Sequence, residues 1–288
     1  MKKIGLISNN KNKKAISIAK EIYDYLVDKN IEVILLMDDT MPKKYGFSAL
    51  AEKEFCSKID LLISVGGDGT FLRAAKYSFK NSTPIMGINV GNLGFLAEVN
   101  LEDRFKAVDN LLQNSYKIEK RMLLDLEIYR NGKILKGLDF PLIALNEFTI
   151  TRTMMEKIVN IEILVNDFSI INFRADGIII ATPTGSTAYS LSAGGPIVEP
   201  KNEVIIITPL CAHDLFTRSI IIDTKNKIEV KVNTKNRNDS LNVDGVKQPV
   251  NFIAGDIIRI KKSSIKLNLI TFNNNIFFKV FKEKLLRC

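Results

Sequence analysis

The sequence predicts an α/β domain with a parallel sheet at residues 1–118, followed by a β-rich, sandwich-like domain at residues 119–273. In the first part, apolar runs alternate with segments of helical periodicity, which is typical of a parallel sheet covered on both faces. In the second part, apolar runs follow one another with few helices between them. Residues 274–288 are periodic again, and we expect a C-terminal helix that packs back on the first domain.

In the first domain the expected elements alternate along the chain. Short apolar runs predict the strands Lys3–Ser8, Glu32–Met37, Leu61–Val65 and Thr83–Asn89. Apolar positions three or four residues apart predict the helices Ile18–Leu26, Ala49–Cys56, Phe71–Phe79 and Asp103–Asn114. A loop is expected around Pro42 and Gly46. In such sheets ligands bind at the carboxyl ends of the strands, so we expect the ligand-binding residues of this domain there.

Turn signals divide the second domain into antiparallel strands. Asn131-Gly132 and Asn166-Asp167 are typical of two-residue hairpin loops, and Asp244-Gly245 is interpreted as another hairpin turn. The expected strands are Leu123–Arg130, Leu142–Thr151, Val159–Val165, Phe168–Phe173, Ile178–Ala181, Val204–Thr208, Ile220–Asp223, Lys227–Val232, Ser240–Val243, Asp256–Lys261 and Lys266–Phe272. The expected C-terminal helix is Ile276–Arg287.

Composition excludes several classes of function. The 288 residues carry a formal net charge of +9, with 3 cysteines and 1 histidine. Widely spaced cysteines and a lone histidine, His213, argue against a disulfide framework and against a metal site built from protein ligands, and they favour a cytoplasmic location. We expect no membrane partner because no long uncharged apolar stretch exists. We expect no nucleic-acid partner because basic residues are not interleaved with aromatic ones.

The first motif that could carry chemistry is the loop Gly66–Thr70, which lies between a buried strand and a helix. Glycines let the backbone approach a ligand, and the positive end of the following helix attracts a phosphate. The loop matches neither the Walker A motif nor the dinucleotide fingerprint. Asp68 is unusual there, because a carboxylate at a phosphate loop either binds a metal or accepts a proton from an attacking hydroxyl. The structural alternative is a tight turn with Asp68 as a helix N-cap.

Three further motifs lie beyond this loop. Asn89–Leu96 is a glycine- and asparagine-rich segment after a strand, either a wall of a nucleotide site or a plain connection. Asn146-Glu147 places an amide and a carboxylate in an apolar strand, suited to ribose hydroxyls or simply a solvated strand end. Arg174–Pro196 is the strongest motif, because an apolar strand runs into a loop crowded with hydroxyl side chains and Tyr189 offers a flat face for a base. The structural alternative for this motif is a surface linker.

These motifs together resemble the NAD kinase family. The glycine-rich loop alone is shared by diacylglycerol, sphingosine and phosphofructo-kinases, so a lipid or sphingoid kinase is one alternative. A non-catalytic dinucleotide sensor is another. The run from Asp176 to Pro196, in the same chain as Asn146-Glu147 and the Asn89–Leu96 segment, is specific to the NAD kinase family. The resemblance extends from about residue 4 to residue 285.

The resemblance implies ATP-dependent phosphorylation of the 2′-hydroxyl of the adenosine ribose of NAD, giving NADP. It implies a nucleotide-binding first domain, an NAD-binding second domain, and a divalent metal, expected to be Mg²⁺, that enters with ATP. It also implies a homodimer or homotetramer, with Asp176 reaching the nicotinamide end of a neighbour's ligand.

The same resemblance assigns Asp68 as the proton acceptor and, with Gly69, as a contact to NAD. Asn146 and Glu147 would hold the adenosine ribose. The remaining expected NAD contacts are Arg174, Asp176, Thr187, Ala188, Tyr189, Ser190, Leu191 and Ser192. Thr187, Ala188, Tyr189 and Ser192 among them would line the adenine pocket. Arg73 and Lys157 occupy positions where the family places basic residues near ligand phosphates.

Two departures from the family pattern stand out. The stretch Pro209–Leu215 lacks the second proline that usually precedes its histidine. Val246 replaces a glutamine after the Asp244-Gly245 turn, which removes one polar contact. Neither change touches the residues expected to carry the transfer.

Overall fold

The computed structural model describes residues 2–91, 93–138, 141–153, 158–214, 218–233, 239–272 and 275–285. The chain divides into two compact units. The first unit consists of Met1–Lys120 with Lys266–Cys288, and the second is Arg121–Ile265. Within the described ranges, no helix is both long enough and apolar enough to span a membrane.

The strands are β1 (Lys3–Ser8), β2 (Glu32–Leu35), β3 (Leu61–Gly66), β4 (Ile85–Asn89), β5 (Lys117–Arg130), β6 (Lys133–Ile134), β7 (Leu142–Ala144), β8 (Glu147–Thr151), β9 (Val159–Val165), β10 (Phe168–Ala175), β11 (Gly177–Ala181), β12 (Val204–Leu210), β13 (Ile220–Asp223), β14 (Ile228–Asn233), β15 (Ser240–Val243), β16 (Val246–Lys247) and β17 (Ile257–Thr271). The helices are α1 (Lys13–Asp28), α2 (Thr40–Tyr45), α3 (Glu52–Lys58), α4 (Asp68–Phe79), α5 (Arg104–Leu112), α6 (Tyr189–Ser192) and α7 (Ile276–Leu285). A 3₁₀ helix covers Thr184–Thr187.

The first unit is built on a parallel sheet in the order β2-β1-β3-β4. Every residue of β3 and β4 is buried, as expected for strands with helices on both faces. The core joins these strands to α1 and α5, and it includes Ile270 from near the end of the chain. The expected α/β domain with a parallel sheet is confirmed.

Helix α2 was not predicted, and the predicted helices have other bounds: α1 is longer, α4 begins at Asp68 and not at Phe71, and α5 is shorter at both ends. Residues expected to form a loop around Pro42 contain α2, because proline is tolerated in a first helical turn. Gly46 ends that helix in the left-handed conformation, with φ of 71°. The next helix, α3, begins at Glu52 and not at Ala49.

The second unit contains two antiparallel sheets. One has the order β13-β12-β11-β8-β15-β16. The other contains β10, β9, β14 and the first part of β17, while β5 pairs with β6 and β7. One apolar core draws buried side chains from both sheets, so the β-rich, sandwich-like prediction is confirmed.

Three strand predictions in the second domain were wrong, and the short strands β6 and β16 were not predicted. The expected strand Leu142–Thr151 is interrupted at residues 145 and 146, because a side chain from another turn binds the backbone amides there. The expected strands Asp256–Lys261 and Lys266–Phe272 are one strand, β17. The polar residues between them include no glycine or proline, so nothing breaks the extended backbone.

The end of β17 sets the boundary between the units. The last part of β17 pairs in parallel with β4 of the first unit, and Leu269 lies opposite Ile85. The second unit therefore ends at Ile265, eight residues before the expected boundary at residue 273, and its first boundary lies at 120/121, where the sequence suggested 118/119. The C-terminal helix α7 belongs to the first unit, where the Phe277 and Phe95 rings lie 5.9 Å apart.

Candidate active site

The glycine-rich loop of the first unit joins β3 directly to α4. Gly67 is the N-cap residue, and no side chain caps the helix. A Cβ on Gly66 would lie 2.4 Å from Thr70 Oγ1, so the turn needs glycine there. A Cβ on Gly67 or Gly69 would meet no atom within 4 Å, so these two glycines border open space. The loop therefore offers a helix N-terminus to a ligand without a side chain in the way.

A cavity of about 340 Å³ opens beside this loop, near the carboxyl ends of β1 and β3. It is lined by Asn9, Asn10, Lys11, Gly67, Gly69, Thr70 and Arg73. Amide side chains, a lysine and glycine backbone are groups that bind phosphate oxygens. None of the described lining residues is a carboxylate.

Arg73 lines the cavity, and its guanidinium is bound by two other groups of the first unit. Its guanidinium lies 3.0 Å from the carboxylate of the buried Asp39 and donates a hydrogen bond to the Ser8 carbonyl. Asp39 in turn accepts the backbone amide of Ser8 at 2.8 Å and the Ser8 hydroxyl at 3.1 Å. The network fixes the end of β1 against α4. Arg73 thus contributes charge to the cavity from an anchored position.

Asp68 is the first residue of α4, not its N-cap, so the N-cap interpretation was wrong. Its Oδ2 accepts the backbone amide of Phe95 at 2.9 Å. Its Oδ1 accepts the amides of Leu96 and Ala97, each at 3.0 Å. These three hydrogen bonds tie the Asp68 carboxylate to the segment that carries the Asn89–Leu96 motif. A Cβ on Gly94 would lie 2.0 Å from Asp68 Oδ1, so this close approach requires glycine.

In the second unit the Asn146-Glu147 pair lies at the start of β8, and both side chains are buried. The backbone carbonyl of Asn146 accepts the amide of Thr182 at 2.8 Å, and the Leu145 carbonyl accepts the Thr182 hydroxyl at 2.5 Å. A Cβ on Gly185 would lie 2.2 Å from the Asn146 carbonyl oxygen. The hydroxyl-rich loop therefore packs directly on the Asn-Glu pair, which brings two of the predicted motifs together.

Glu147 is the ionisable residue of the pair, and its pKa is shifted. Its side chain is 5% exposed, and within the described ranges its Oε2 has no hydrogen-bond partner. Burial, with a smaller contribution from the negative charge of Asp244, raises the pKa of Glu147 from 4.5 to about 7, while a hydrogen bond with the Tyr189 backbone acts in the opposite direction. A buried carboxylate oxygen without a partner marks a place where a ligand hydroxyl can donate.

The hydroxyl-rich loop forms the 3₁₀ helix and then α6. Tyr189 begins α6, and 46% of this residue is exposed. Thr187, Ala188 and Leu191 are partly exposed and Ser192 is exposed. Ser190 differs, because it is fully buried and its hydroxyl shares a hydrogen bond of 3.0 Å with Thr208. The expected contact of Ser190 with a ligand therefore cannot use its hydroxyl in this conformation.

A second cavity, about 430 Å³, joins Tyr189 to Asp176. It is lined by Thr151, Arg152, Asp176, Tyr189, Leu210 and Cys211. Asp176 Oδ1 lies 2.5 Å from Arg152 Nε, and this hydrogen bond raises the pKa of Arg152. Arg174 is exposed, on β10. Lys157, the remaining predicted residue, lies outside the described residues.

Two residues of this region escaped the sequence analysis. Arg152 pairs with Asp176, but nothing in the sequence marks a lone arginine at a strand end. Asp244 was interpreted only as a hairpin turn, and its carboxylate accepts the amides of Leu145, Asn146 and Glu147. The signal that could have identified it is the Asp-Gly turn itself, because such turns present a short acidic side chain at a fixed place.

Comparisons with known proteins agree with this geometry. Sequence models of the ATP-NAD kinase N-terminal and C-terminal domains match residues 4–116 and 145–272. An NAD kinase from Caldanaerobacter subterraneus subsp. tengcongensis is 39% identical over 287 residues, covering 99% of both chains. An NAD kinase from Clostridium botulinum is 38% identical, covering 99% of this chain and 96% of its own.

Solved structures give the same result. An NAD kinase from Archaeoglobus fulgidus in complex with ATP superposes with a TM-score of 0.75 at 26% identity, covering 98% of each chain. Yeast NADH kinase complexed with NADH gives a TM-score of 0.89 and covers 100% of this chain and 88% of its own. At 23% identity, that second likeness supports the fold alone. From its two domain matches and its full-length relatives, this chain belongs to the ATP-NAD kinase family of phosphotransferases.

Proposed function

We propose that this chain transfers the terminal phosphoryl group of ATP to the 2′-hydroxyl of the adenosine ribose of NAD, giving NADP. The observation that supports this most is the Oε2 of Glu147, a buried carboxylate oxygen with no partner in the described structure. A ribose offers two adjacent hydroxyl donors that match a carboxylate and the neighbouring amide of Asn146. The lipid-kinase alternative gives no reason for such a pair beside an exposed aromatic ring.

The adenine of NAD would lie on the exposed ring of Tyr189, which begins α6 next to the Asn-Glu pair. Stacking of a base on an aromatic face is favourable and needs no base-specific hydrogen bond. Thr187, Ala188, Leu191 and Ser192 would surround the base, and Ser190 would contribute through its backbone. The cavity lined by Tyr189 and Asp176 would accept the rest of the dinucleotide, with Arg174 as a further contact.

The phosphates of ATP would occupy the cavity at the glycine-rich loop. The open faces of Gly67 and Gly69, the Lys11 side chain and the anchored Arg73 supply donors and positive charge there. Lys157 keeps its expected role as a further basic contact to ligand phosphates. In the part of the chain that the structure describes, no group of three or more His, Cys, Asp or Glu side chains could hold a metal ion. The Mg²⁺ we propose would therefore be carried by the ATP phosphates and water, where it neutralises charge on the transferring group.

Asp68 would accept the proton of the attacking hydroxyl. As the ribose oxygen bonds to the phosphorus atom, the bond to ADP breaks and the hydroxyl proton passes to the carboxylate. The three amides at Asp68 use three of about four lone-pair positions, which leaves one for the hydroxyl proton. Gly69, next to it on the open face of the loop, would contact NAD through its backbone.

We also propose that the protein is a homodimer or homotetramer in the cytoplasm. The oligomer follows from the family resemblance, in which Asp176 contacts a ligand bound by a neighbouring copy. The location is supported by Cys56 and Cys211, which are free thiols and so fit a reducing compartment.

The direct test is incubation of the purified protein with ATP, Mg²⁺ and NAD, followed by detection of NADP with an NADP-specific dehydrogenase. We expect NADP to form, and Asp68→Asn protein prepared in the same way to serve as the low-activity control. Diacylglycerol and sphingosine are offered in parallel reactions. Phosphorylation of a lipid without formation of NADP would favour the lipid-kinase alternative, and NAD binding without any turnover would favour a sensor.

A further inference from the structure

Asp244 makes contacts that its position in a surface turn does not require. It is the first residue of the two-residue loop between β15 and β16, with φ of 47°, followed by Gly245 with φ of 79°. In such a turn Asp is favoured because it tolerates a positive φ and because its side chain can bind the backbone of the turn itself. Here the carboxylate turns inward and its Oδ2 accepts the Leu145 amide at 2.9 Å. Its Oδ1 accepts the amides of Asn146 at 2.7 Å and Glu147 at 3.1 Å.

Three consecutive amides that converge on one carboxylate form a backbone nest occupied by a side chain. The backbone amide of Asp244 also donates to the Glu147 carbonyl at 3.0 Å, so the two segments bind each other in both directions. On the carbonyl side, Thr182 binds Leu145 and Asn146. The segment that carries the Asn-Glu pair is therefore held through its amides by one turn and through its carbonyls by the hydroxyl-rich loop.

The same carboxylate also acts on the side chain of Glu147. The charged group that raises the pKa of Glu147, after burial, is Asp244. From α6 the backbone of Tyr189 hydrogen-bonds to Glu147, and on β11 the residue paired with Glu147 is Ala181, which carries no charge. Burial raises the pKa of Asp244 itself, while the three amides that it accepts act in the opposite direction.

We infer that Asp244 is a positioning residue for the dinucleotide acceptor, because its carboxylate fixes the backbone of Asn146 and Glu147 and places a negative charge near the Glu147 side chain. This inference rests on the proposed function, in which that pair holds the adenosine ribose. It assigns to the Asp-Gly turn a role in substrate affinity and not in the transfer itself. The expected signature is an effect on NAD binding that depends on pH, with little effect on ATP.

The experiment measures NAD affinity by calorimetry from about pH 5.5 to about pH 8.5. This range extends more than one unit to either side of the Glu147 pKa of about 7. In the native protein we expect affinity to fall as pH decreases through about 7, where Glu147 takes up a proton. In Asp244→Asn we expect affinity at high pH to fall by about tenfold or more, because the side-chain amide presents a donor to backbone donors. We also expect the midpoint of the pH dependence to move down by about half a unit or more, because a negative neighbour is lost.

Asp223→Asn is the matched control, because Asp223 also accepts a backbone amide, that of Lys225 at 2.7 Å, at an exposed turn of the same unit. It should change neither affinity nor midpoint. If Asp244→Asn does not fold, Asp244→Ser provides a neutral hydroxyl that can turn its proton away from the backbone amides and accept from them, and the same two shifts are expected. The KM for ATP should stay within about twofold in each folded variant.

Two results would overturn the inference. One is unchanged NAD affinity in the folded Asp244 variant. The other is reduced affinity with an unmoved midpoint, which is what a merely structural aspartate would produce. Glu147→Gln separates this from failure of the proposed function: if that variant binds NAD normally at every pH, the pair does not hold the ribose. If Glu147→Gln binds weakly and Asp244→Asn behaves as native, only the role of Asp244 is wrong.

Discussion

In the proposed reaction Asp68 has two roles, as an anchor for residues 95–97 and as the proton acceptor. Three backbone amides hold its carboxylate in place, while a proton acceptor works best when its lone pairs remain free. The geometry reconciles the two because the amides leave one acceptor position. It also means that a substitution at Asp68 affects the segment from Phe95 to Ala97 as well as the chemistry.

For Asp68→Asn we expect kcat to fall by about 10²–10⁴, the range for loss of a positioned acid–base group. The side-chain amide can accept at one oxygen only, so at least one bond to the 95–97 backbone is lost and stability should fall by roughly 1–2 kcal/mol. Steady-state kinetics and urea unfolding measure the two effects separately. A variant that keeps more than about a third of native kcat would show that Asp68 only anchors the segment.

Glu147 makes stability depend on pH. Its pKa in the folded chain is about 7 and its ordinary value is 4.5, so the folded state holds a proton that the unfolded state releases. The stabilisation is complete below about pH 4.5 and is lost as pH rises through 7. In Glu147→Gln we expect this loss to disappear. The variant should be more stable than the native protein at pH 8 by on the order of 3 kcal/mol, and close to it at pH 5.

Urea unfolding of both proteins at the two pH values measures this difference. Glu102→Gln, at an exposed glutamate, controls for the general effect of removing a carboxylate. Equal pH dependence in the native protein and in Glu147→Gln would show that Glu147 ionises normally in the folded chain.

The sequence singled out Asp68, Asn146 and Glu147 as candidates because glycine loops and paired polar residues in apolar strands are local patterns. The partner of that pair could not be found in this way. Asp244 lies almost a hundred positions from Glu147, and only the pairing of β15 with β8 brings them together. Ser190 shows that a motif can also include a residue whose side chain faces the interior. Its hydroxyl shares a hydrogen bond with Thr208 of the same unit.

The segment between β4 and α5 depends on glycine at one position and not at another. A Cβ on Gly94 would collide with the carboxylate of Asp68 at 2.0 Å, whereas a Cβ on Gly91 would lie 3.7 Å from Asn89 Oδ1, an ordinary contact. Gly94→Ala should therefore force Asp68 to rotate away from its three amides. We expect kcat to fall by about tenfold or more, because a small displacement of a catalytic group is costly.

Gly91→Ala is the matched control and should retain activity within about twofold, because its added methyl group fits the available space. Both variants are compared by kcat and by thermal unfolding. Native activity in Gly94→Ala would mean that the contact between Asp68 and residues 95–97 does not matter for turnover.

Sequence patterns predicted the bounds of some strands and missed those of others. Val159–Val165 and Ile220–Asp223 have the predicted bounds, and a turn follows directly after each of them. The break between β7 and β8 is imposed by Asp244 from a distant turn, and the apolar sequence on either side gives no sign of it. Local propensity predicted the elements, and side chains from elsewhere in the chain fixed their ends.

The path of the chain gives the first unit two separate pieces. Ile270, near the end of β17, belongs to the same core as residues from β1, β3 and β4. Helix α7 follows, and it buries Ile276 and Val280 while its Phe277 ring contacts Phe95. The second unit is continuous in sequence and has its own core. We therefore expect residues 266–285 to contribute to the stability of the first unit, and α7 contacts the segment that Asp68 binds.

Two substitutions in α7 test this dependence. Val280 is 1% exposed and Phe278 is 54% exposed. Val280→Ala removes buried methyl groups and leaves a cavity, so we expect the free energy of unfolding to fall by about 1–3 kcal/mol. Phe278→Ala removes a larger side chain, but one that is mostly in water, and should change it by less than about 0.5 kcal/mol. Urea unfolding followed by circular dichroism measures both, and a larger loss in Phe278→Ala than in Val280→Ala would contradict the packing of α7 on the first unit.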